Sequence, residues 1–245
     1  MVLFALLLVS CGSDGILDGI PRGETGRVVR IIDGDAIILD TGLTVRLVGV
    51  EAPALQRRDQ TSQPFAQEAK RLLEDMALGR LVRLYYPGLT RDRYDRALAY
   101  VFTADDLGPR IWLNEEIVRQ GGARVRVYPD TAAKAEYLFE AEQLARVERA
   151  GLWSEKAYKI VPAKAVAGEL SGFTIVQTQR LVRHDSIGDN FVCALRSGSS
   201  AFWIDVRPTA AEICHTPPME ALVRGYMRDG RLELTHSLNI EELAG

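Results

Sequence analysis

The chain has 245 residues, of which 47% are hydrophobic and 26% are charged, a composition typical of globular proteins with one large domain or two small ones. Its net charge of −3 excludes an overall positive field that would attract nucleic acid to the whole surface. Arginine outnumbers lysine by 25 to 5, a bias that genomic base composition can also produce. The positions of the arginines, rather than their number, therefore carry the information.

An apolar segment at residues 2–9 opens the chain and is followed by Ser10, Cys11 and Gly12. It is too short to span a bilayer and has the length of a signal-peptide core. Residues 8–11 resemble the lipobox of bacterial lipoproteins, which implies lipidation of Cys11 and a lipid-anchored protein at the bacterial cell envelope, periplasmic or on the outer surface. An ordinary export signal or a coincidental apolar run are the alternatives. We expect a signal peptide at residues 1–11 and a glycine-rich tether at residues 12–24.

The next part of the chain, residues 25–155, has the pattern of a small barrel with added helices. Apolar alternation predicts strands over residues 25–32, 36–40, 43–50, 80–86 and 97–103. Helical spacing predicts helices over residues 65–76, 113–120 and 131–150, the last with Asp130 as its cap and Gly151 as its end. Residues 54–63 are predicted to be a polar loop. This order is typical of five-stranded OB-fold barrels, so the predicted fold class is mainly β with α.

A second unit is predicted after a linker at residues 156–171. Five strand-like segments and a short helical segment within residues 208–220 predict a second small OB-like β-barrel over residues 172–245; the strands are expected at residues 173–183, 190–196, 201–206, 221–228 and 231–236. Cys193 and Cys214 form an even pair that could be a disulfide outside the cytoplasm, and two buried free thiols fit equally well. The three scattered histidines show no zinc-ligand spacing.

Two arginines interrupt strand-like runs of the first unit. Arg46 lies within residues 45–49, and Arg96 lies within residues 91–100. A guanidinium stays charged at any working pH and presents a planar fork that matches two oxygens of a phosphate. Two such forks on neighbouring strands would clamp a phosphate. The pattern therefore predicts phosphodiester binding or cleavage.

Five blocks of sequence, residues 26–35, 45–53, 92–100, 114–121 and 151–155, together resemble the staphylococcal nuclease (thermonuclease-like) family. The resemblance covers about residues 25 to 155, in order and at compatible spacing. It implies an OB-fold nuclease that hydrolyses DNA or RNA with calcium, holds the phosphodiester between two arginines and activates water with a glutamate. Such preorganised charge stabilises the transition state more than the bound substrate.

The resemblance also implies roles for individual residues. Arg46 and Arg96 occupy the catalytic arginine positions, Asp35 and Glu51 the metal-ligand positions, and Arg93 and Tyr94 the nucleotide-binding positions. The carbonyl oxygen of Ala52 is a further metal ligand, and Tyr128 lies near a nucleotide-stacking tyrosine of the family. From the residues themselves, either arginine could be a surface charge, and Asp35 could be a turn-capping aspartate.

Two positions depart from the family pattern. Ala54 stands where the family has its general-base glutamate, and Glu51 and Asp59 are the nearest possible substitutes. Asp95 stands where glycine is usual, and its carboxylate could pair with Arg96 or point to solvent. Three hypotheses follow: an exported nuclease, a catalytically impaired module that binds nucleic acid or protein at the cell envelope, and an envelope scaffold whose second barrel is the active part.

Overall fold

The computed structural model describes residues 15–56, 61–105, 108–166, 170–185 and 190–243. Cys11, the predicted signal segment and Asp59 lie outside the described residues. Two large sheets and one two-stranded sheet, β4 with β8, organise the described residues. We call the parts that carry them the N-terminal unit (β1–β8 with three α-helices) and the C-terminal unit (β9–β16). The strands of the N-terminal unit are β1 Arg22–Asp33, β2 Ala36–Leu39, β3 Thr44–Leu47, β4 Val50–Glu51, β5 Leu81–Tyr85, β6 Ala97–Asp105, β7 Gly108–Trp112 and β8 Arg124–Val125.

Five strands of the N-terminal unit close into a barrel. The pairing runs β1–β2–β3–β6–β5 and returns to β1, with β3 and β6 parallel and the other neighbours antiparallel. The inward residues of these strands, such as Val45, Leu47 and Leu84, are fully buried. The expected five-stranded OB-type barrel is therefore confirmed, and it fixes which loops meet at its mouth.

Among the described residues, three α-helices accompany the barrel: α1 Ala66–Ala77, α2 Leu113–Arg119 and α3 Ala135–Glu148. The predicted cap of α3 is wrong, because the helix begins at Ala135 and not at residue 131. Asp130 lies instead in a separate 3₁₀ turn, Pro129–Thr131, which suits a proline at its first position. Lys134 then adopts a left-handed φ of 64° and breaks the continuity between that turn and α3.

The C-terminal unit carries one eight-stranded sheet that curls into a half-barrel, as expected for an OB-like barrel. Its strands are β9 Val161–Pro162, β10 Gly172–Gln179, β11 Leu181–His184, β12 Cys193–Ser197, β13 Trp203–Val206, β14 Glu220–Arg228, β15 Arg231–Leu234 and β16 Ile240–Glu242. A 3₁₀ segment, Pro208–Cys214, occupies the predicted helical position. In the structure a disulfide joins its Cys214 to Cys193 on β12.

The segment expected as a linker packs against both units. Tyr158, in the 3₁₀ turn Lys156–Tyr158, is buried, and its hydroxyl donates to the carbonyl oxygen of Pro64 at 2.6 Å. Further along, β9 pairs in parallel with β10. This segment therefore fixes the spacing between the two units.

The two units meet through buried polar contacts. Arg224 on β14 is fully buried and forms an ion pair with the equally buried Glu142 of α3, and its Nη2 donates to Glu241 at 3.0 Å. Asn239 exchanges two hydrogen bonds with the backbone of Val127, at 3.2 and 2.9 Å. Such contacts need one defined geometry to be satisfied, so they set the C-terminal unit beside the mouth of the barrel.

Candidate active site

The parallel pairing of β3 and β6 brings the two predicted arginines to one edge of the barrel. Val45 pairs with Ala97 and Arg46 with Leu98. Arg96 directly precedes Ala97, so it lies at the end of the paired strands where Arg46 is found. Along β3 the buried residues alternate with Thr44 and Arg46, which places the Arg46 side chain on the outer face of the strand. Both arginines line a cavity of about 370 Å³.

The predicted metal-ligand residues surround Arg46. Its Nη1 donates to Oδ1 of Asp35 at 2.5 Å, and its Nη2 donates to Oε2 of Glu51 at 3.0 Å and to the carbonyl oxygen of Val50 at 3.2 Å. The other carboxylate oxygen of Asp35 accepts from the backbone N–H of Ala52 at 2.8 Å. Asp35 is 2% exposed, so it acts within this cluster rather than only as a surface turn residue.

Burial and charge set the protonation of this cluster. Burial raises the pKa of Asp35 well above its usual value, against the attraction of Arg46, and repulsion from Asp33 and Glu51 raises it further. For Glu51 burial also favours the neutral form, but Arg46 and Arg126 outweigh it and hold its pKa below the usual value. Glu51 is therefore a carboxylate at neutral pH, and a weak base for activating water.

A tight turn between β5 and β6 presents Arg96. Asp92 organises this turn: its Oδ1 accepts from the backbone N–H of Tyr94 at 2.9 Å and of Arg96 at 3.0 Å, and its Oδ2 accepts from Nε of Arg96 at 2.8 Å. Arg93 and Tyr94, the predicted nucleotide-binding pair, lie on the same turn but do not line the cavity. Nη2 of Arg93 donates to the Tyr94 hydroxyl at 2.7 Å.

Asp95 points to solvent. Its side chain is 94% exposed and lies 4.0 Å from Nε of Arg91, while Arg96 pairs with Asp92. Its backbone φ of 60° lies in the left-handed region that glycine adopts without strain. The Asp95 carboxylate therefore leaves the ion pair between Arg96 and Asp92 intact.

Gln63 holds the backbone of Ala54, whose side chain is a methyl group. Its backbone N–H donates to Oε1 of Gln63 at 2.8 Å, and its carbonyl oxygen accepts from the N–H of Gln63 at 2.8 Å. The residue itself is exposed. Since Glu51 is held by cations and Asp59 lies outside the described residues, neither predicted substitute for the general base gains support from geometry.

Sequence reasoning missed two residues of this site, Arg126 and Tyr226. Arg126 follows the short ladder in which β4 pairs with β8, and its Nη1 donates to Oε2 of Glu51 at 3.1 Å. Tyr226, on β14 of the C-terminal unit, donates from its hydroxyl to Oε1 of Glu51 at 2.9 Å. Arg126 shares an alternating strand pattern with Arg124 that could have indicated it, whereas Tyr226 lies 175 residues from Glu51.

The side-chain oxygens at this site are of the chemical class that a hard divalent ion prefers, but there are few of them. Asp35 and Glu51 supply carboxylate oxygens, the ligand class that calcium prefers, and both contact the same guanidinium. Within the described ranges no group of three or more His, Cys, Asp or Glu side chains is placed to hold a metal. Calcium takes six to eight oxygen ligands, so most of them would come from the main chain, solvent or substrate.

Known proteins resemble this chain over the region that contains the site. A model of the staphylococcal nuclease homologue family matches residues 44–155. A thermonuclease from Staphylococcus hyicus is 31% identical over 134 residues, which cover 54% of this chain and 76% of that protein. The chain belongs to the staphylococcal nuclease family. A thermonuclease from Staphylococcus intermedius is 31% identical over 135 residues, which cover 77% of that protein. An uncharacterized endonuclease from Escherichia coli is 31% identical over 133 residues.

Membership of the staphylococcal nuclease family supports nuclease chemistry for this chain. The matched region contains Arg46, Glu51 and Arg96, while the matches to the two thermonucleases cover 54% of the chain. Among the described residues the structure contains no helix of sufficient length and apolarity to cross a membrane.

Proposed function

We propose that this chain binds a phosphodiester of DNA or RNA between Arg46 and Arg96 and hydrolyses it. The observation that carries the proposal is that both guanidinium groups line one cavity, brought there by the parallel pairing of β3 and β6. Attack on a phosphodiester adds negative charge to its non-bridging oxygens. Arginines already oriented by Asp35, Glu51 and Asp92 stabilise that charge without reorganising during the reaction.

Calcium is part of the proposal, with Asp35 and Glu51 as its side-chain ligands. When bound, the ion would supply Lewis-acid stabilisation of the phosphoryl oxygens. Burial raises the pKa of Asp35, and repulsion from Asp33 and Glu51 raises it further. Such repulsion between carboxylates favours a cation at this point. Arg46 and the backbone N–H of Ala52 orient Asp35, while Arg46, Arg126 and Tyr226 orient Glu51.

A catalytically impaired nucleic-acid-binding module is the second candidate. The observation that favours it is Ala54, which offers no carboxylate where the family has its general base. Loss of general-base catalysis typically slows a reaction by about a hundred- to ten-thousand-fold. The arginine cavity would remain able to bind a phosphate under this alternative.

We further propose export to the cell envelope with a lipid anchor at Cys11. The support is the lipobox-like residues 8–11 and the bond between Cys193 and Cys214, since disulfides persist in oxidising compartments. Mass spectrometry of the membrane fraction tests it: a diacylglyceryl group on Cys11 supports the anchor, and an unmodified chain in the soluble fraction contradicts it.

One assay separates the two functional candidates. Single-stranded DNA and RNA are incubated with the purified chain, with calcium and with chelator, and both cleavage and binding are recorded. Cleavage that requires calcium supports the nuclease, whereas binding without cleavage supports the impaired module. A folded chain that neither binds nor cleaves either polymer would contradict both.

A further inference from the structure

A second cavity adjoins the first on the side of the C-terminal unit. It measures about 130 Å³ and shares Arg126 and Tyr128 with the cavity that contains the two catalytic-position arginines. Phe173 and Tyr226 of the C-terminal unit contribute to its wall. The two cavities therefore meet at Arg126 and Tyr128, where the N-terminal unit faces the C-terminal unit.

Aromatic rings from both units hold the Arg126 guanidinium. Its Cζ lies 4.5 Å from the ring centre of Tyr128 and 4.2 Å from that of Tyr226, distances at which cation–π attraction orients a guanidinium. Its Nη1 donates to Glu51, and within the described part of the chain no side-chain hydrogen bond is recorded from its Nε or Nη2. An arginine has five N–H donors, so Arg126 has donors left for a phosphate.

The rings beside Arg126 also remain partly accessible. Tyr128 is 41% exposed and Tyr226 is 46% exposed. Exposed aromatic side chains that alternate with cations form the usual binding surface for single-stranded nucleic acid, in which bases stack and phosphates pair with arginine. A duplex buries the faces of its bases in its own stack, so a surface of this kind suits a single strand.

We propose that Arg126 binds the phosphate next to the one held by Arg46 and Arg96, an inference that rests on the proposed function. Tyr226 stacks on the adjoining nucleotide. The substrate is then a single strand that crosses from the N-terminal unit to the C-terminal unit. The C-terminal unit thus belongs to the substrate-binding site, although it lies outside the region that the family model matches.

The salt dependence of binding tests the role of Arg126. A fluorescent ten-nucleotide single-stranded DNA is titrated in chelator, which prevents the proposed turnover, at several salt concentrations. Each phosphate contact contributes about 0.7 to the slope of log K against log salt for a single strand. Arg126→Gln is expected to lower the slope by about that amount. The matched control is Arg119→Gln, since Arg119 also pairs with a glutamate, Glu116, but lines neither cavity.

Substrate length tests the role of Tyr226. The wild-type chain is expected to bind a tetranucleotide at least about tenfold more tightly than a dinucleotide, since one stacked base is worth about this factor. Tyr226→Ala should remove most of that gain in the ratio of the two affinities, whereas Tyr226→Phe should keep it. Thermal unfolding of each variant is measured as a control for retention of the fold.

The outcomes separate this inference from the proposed function. If Arg126→Gln and Tyr226→Ala match the wild type while Arg46→Gln weakens binding, the inference is wrong and the nuclease proposal stands. If the folded wild-type chain binds no single strand, both are wrong.

Discussion

Each side chain at the centre of the site is held by a partner of opposite charge. Arg46 lies between Asp35 and Glu51, and Arg96 is held by Asp92. Although burial opposes the charged form, Asp35 and Glu51 raise the pKa of Arg46 above its usual value, so it remains a cation. These pairs orient both guanidinium groups without a substrate, and under the proposed function such preorganisation would lower the reaction barrier.

The residue that limits the proposed reaction is Ala54. Because its backbone is fixed by two hydrogen bonds to Gln63 and its side chain is exposed, a longer side chain can be introduced without steric conflict. Ala54→Glu is expected to raise the rate of single-stranded DNA hydrolysis by about a hundredfold or more, the usual range for a positioned general base.

The matched control for this gain is Ala54→Gln, because a glutamine side chain is as long as a glutamate side chain but has no basic carboxylate. Initial rates of both variants are measured under the same calcium concentration. Equal rates for Ala54→Glu, Ala54→Gln and the wild type would contradict the assignment of Ala54 to the general-base position.

At the scale of elements, the turn that carries Arg96 contains a residue under backbone strain. Asp95 has a φ of 60°, and a side chain in this region costs about 1 kcal/mol relative to glycine. Asp95→Gly is therefore expected to raise the free energy of unfolding by up to about 1 kcal/mol without displacing Arg96, which Asp92 holds. Chemical denaturation monitored by fluorescence measures the change.

Asp95→Ala distinguishes relief of strain from loss of charge. It removes the carboxylate that lies 4.0 Å from Arg91 but keeps a Cβ atom at the same φ, so it should give no stabilisation. If the alanine variant is as stable as the glycine variant, the strain at Asp95 is not the cause.

The sequence predicted the barrel strands well because they depend on a local pattern, whereas the roles of Arg46 and Arg96 stay a prediction. Val45 and Leu47 alternate with Arg46 along one strand, and in the structure the two apolar residues are buried while Arg46 lies on the outer face. The start of α3 was missed because Lys134 adopts a left-handed conformation that no propensity indicates. Arg126 and Tyr226 were missed for a different reason, since Tyr226 reaches Glu51 across 175 residues and its role exists only after the two units have packed.

At the scale of the whole molecule, one buried ion pair connects the units. Arg224 and Glu142 have no exposed side-chain surface, and Oε1 of Glu142 also accepts from the backbone N–H of Val125 at 2.7 Å. Removing one partner of a buried pair leaves a charge that the interior cannot solvate. This pair therefore contributes, with the contacts of Asn239 to Val127, to the relative placement of Tyr226 and Glu51.

Glu142→Gln is expected to lower the free energy of unfolding by about 3 kcal/mol, because Arg224 then keeps its charge with Glu241 as its remaining acidic partner. Denaturant titration measures the loss. The control Glu116→Gln breaks the more exposed pair with Arg119 and should cost less than about 1 kcal/mol. Equal losses in the two variants would show that the buried pair contributes no more than a surface pair.

The measurement that tests the central claim most directly is the hydrolysis rate of single-stranded DNA by the wild type, Arg96→Ala and Arg119→Ala, each with calcium and with chelator. The two-arginine site predicts cleavage by the wild type and by Arg119→Ala with calcium, none with chelator, and a loss of about a hundredfold or more in Arg96→Ala. Cleavage by Arg96→Ala at the wild-type rate would contradict the proposal that this cavity is the active site.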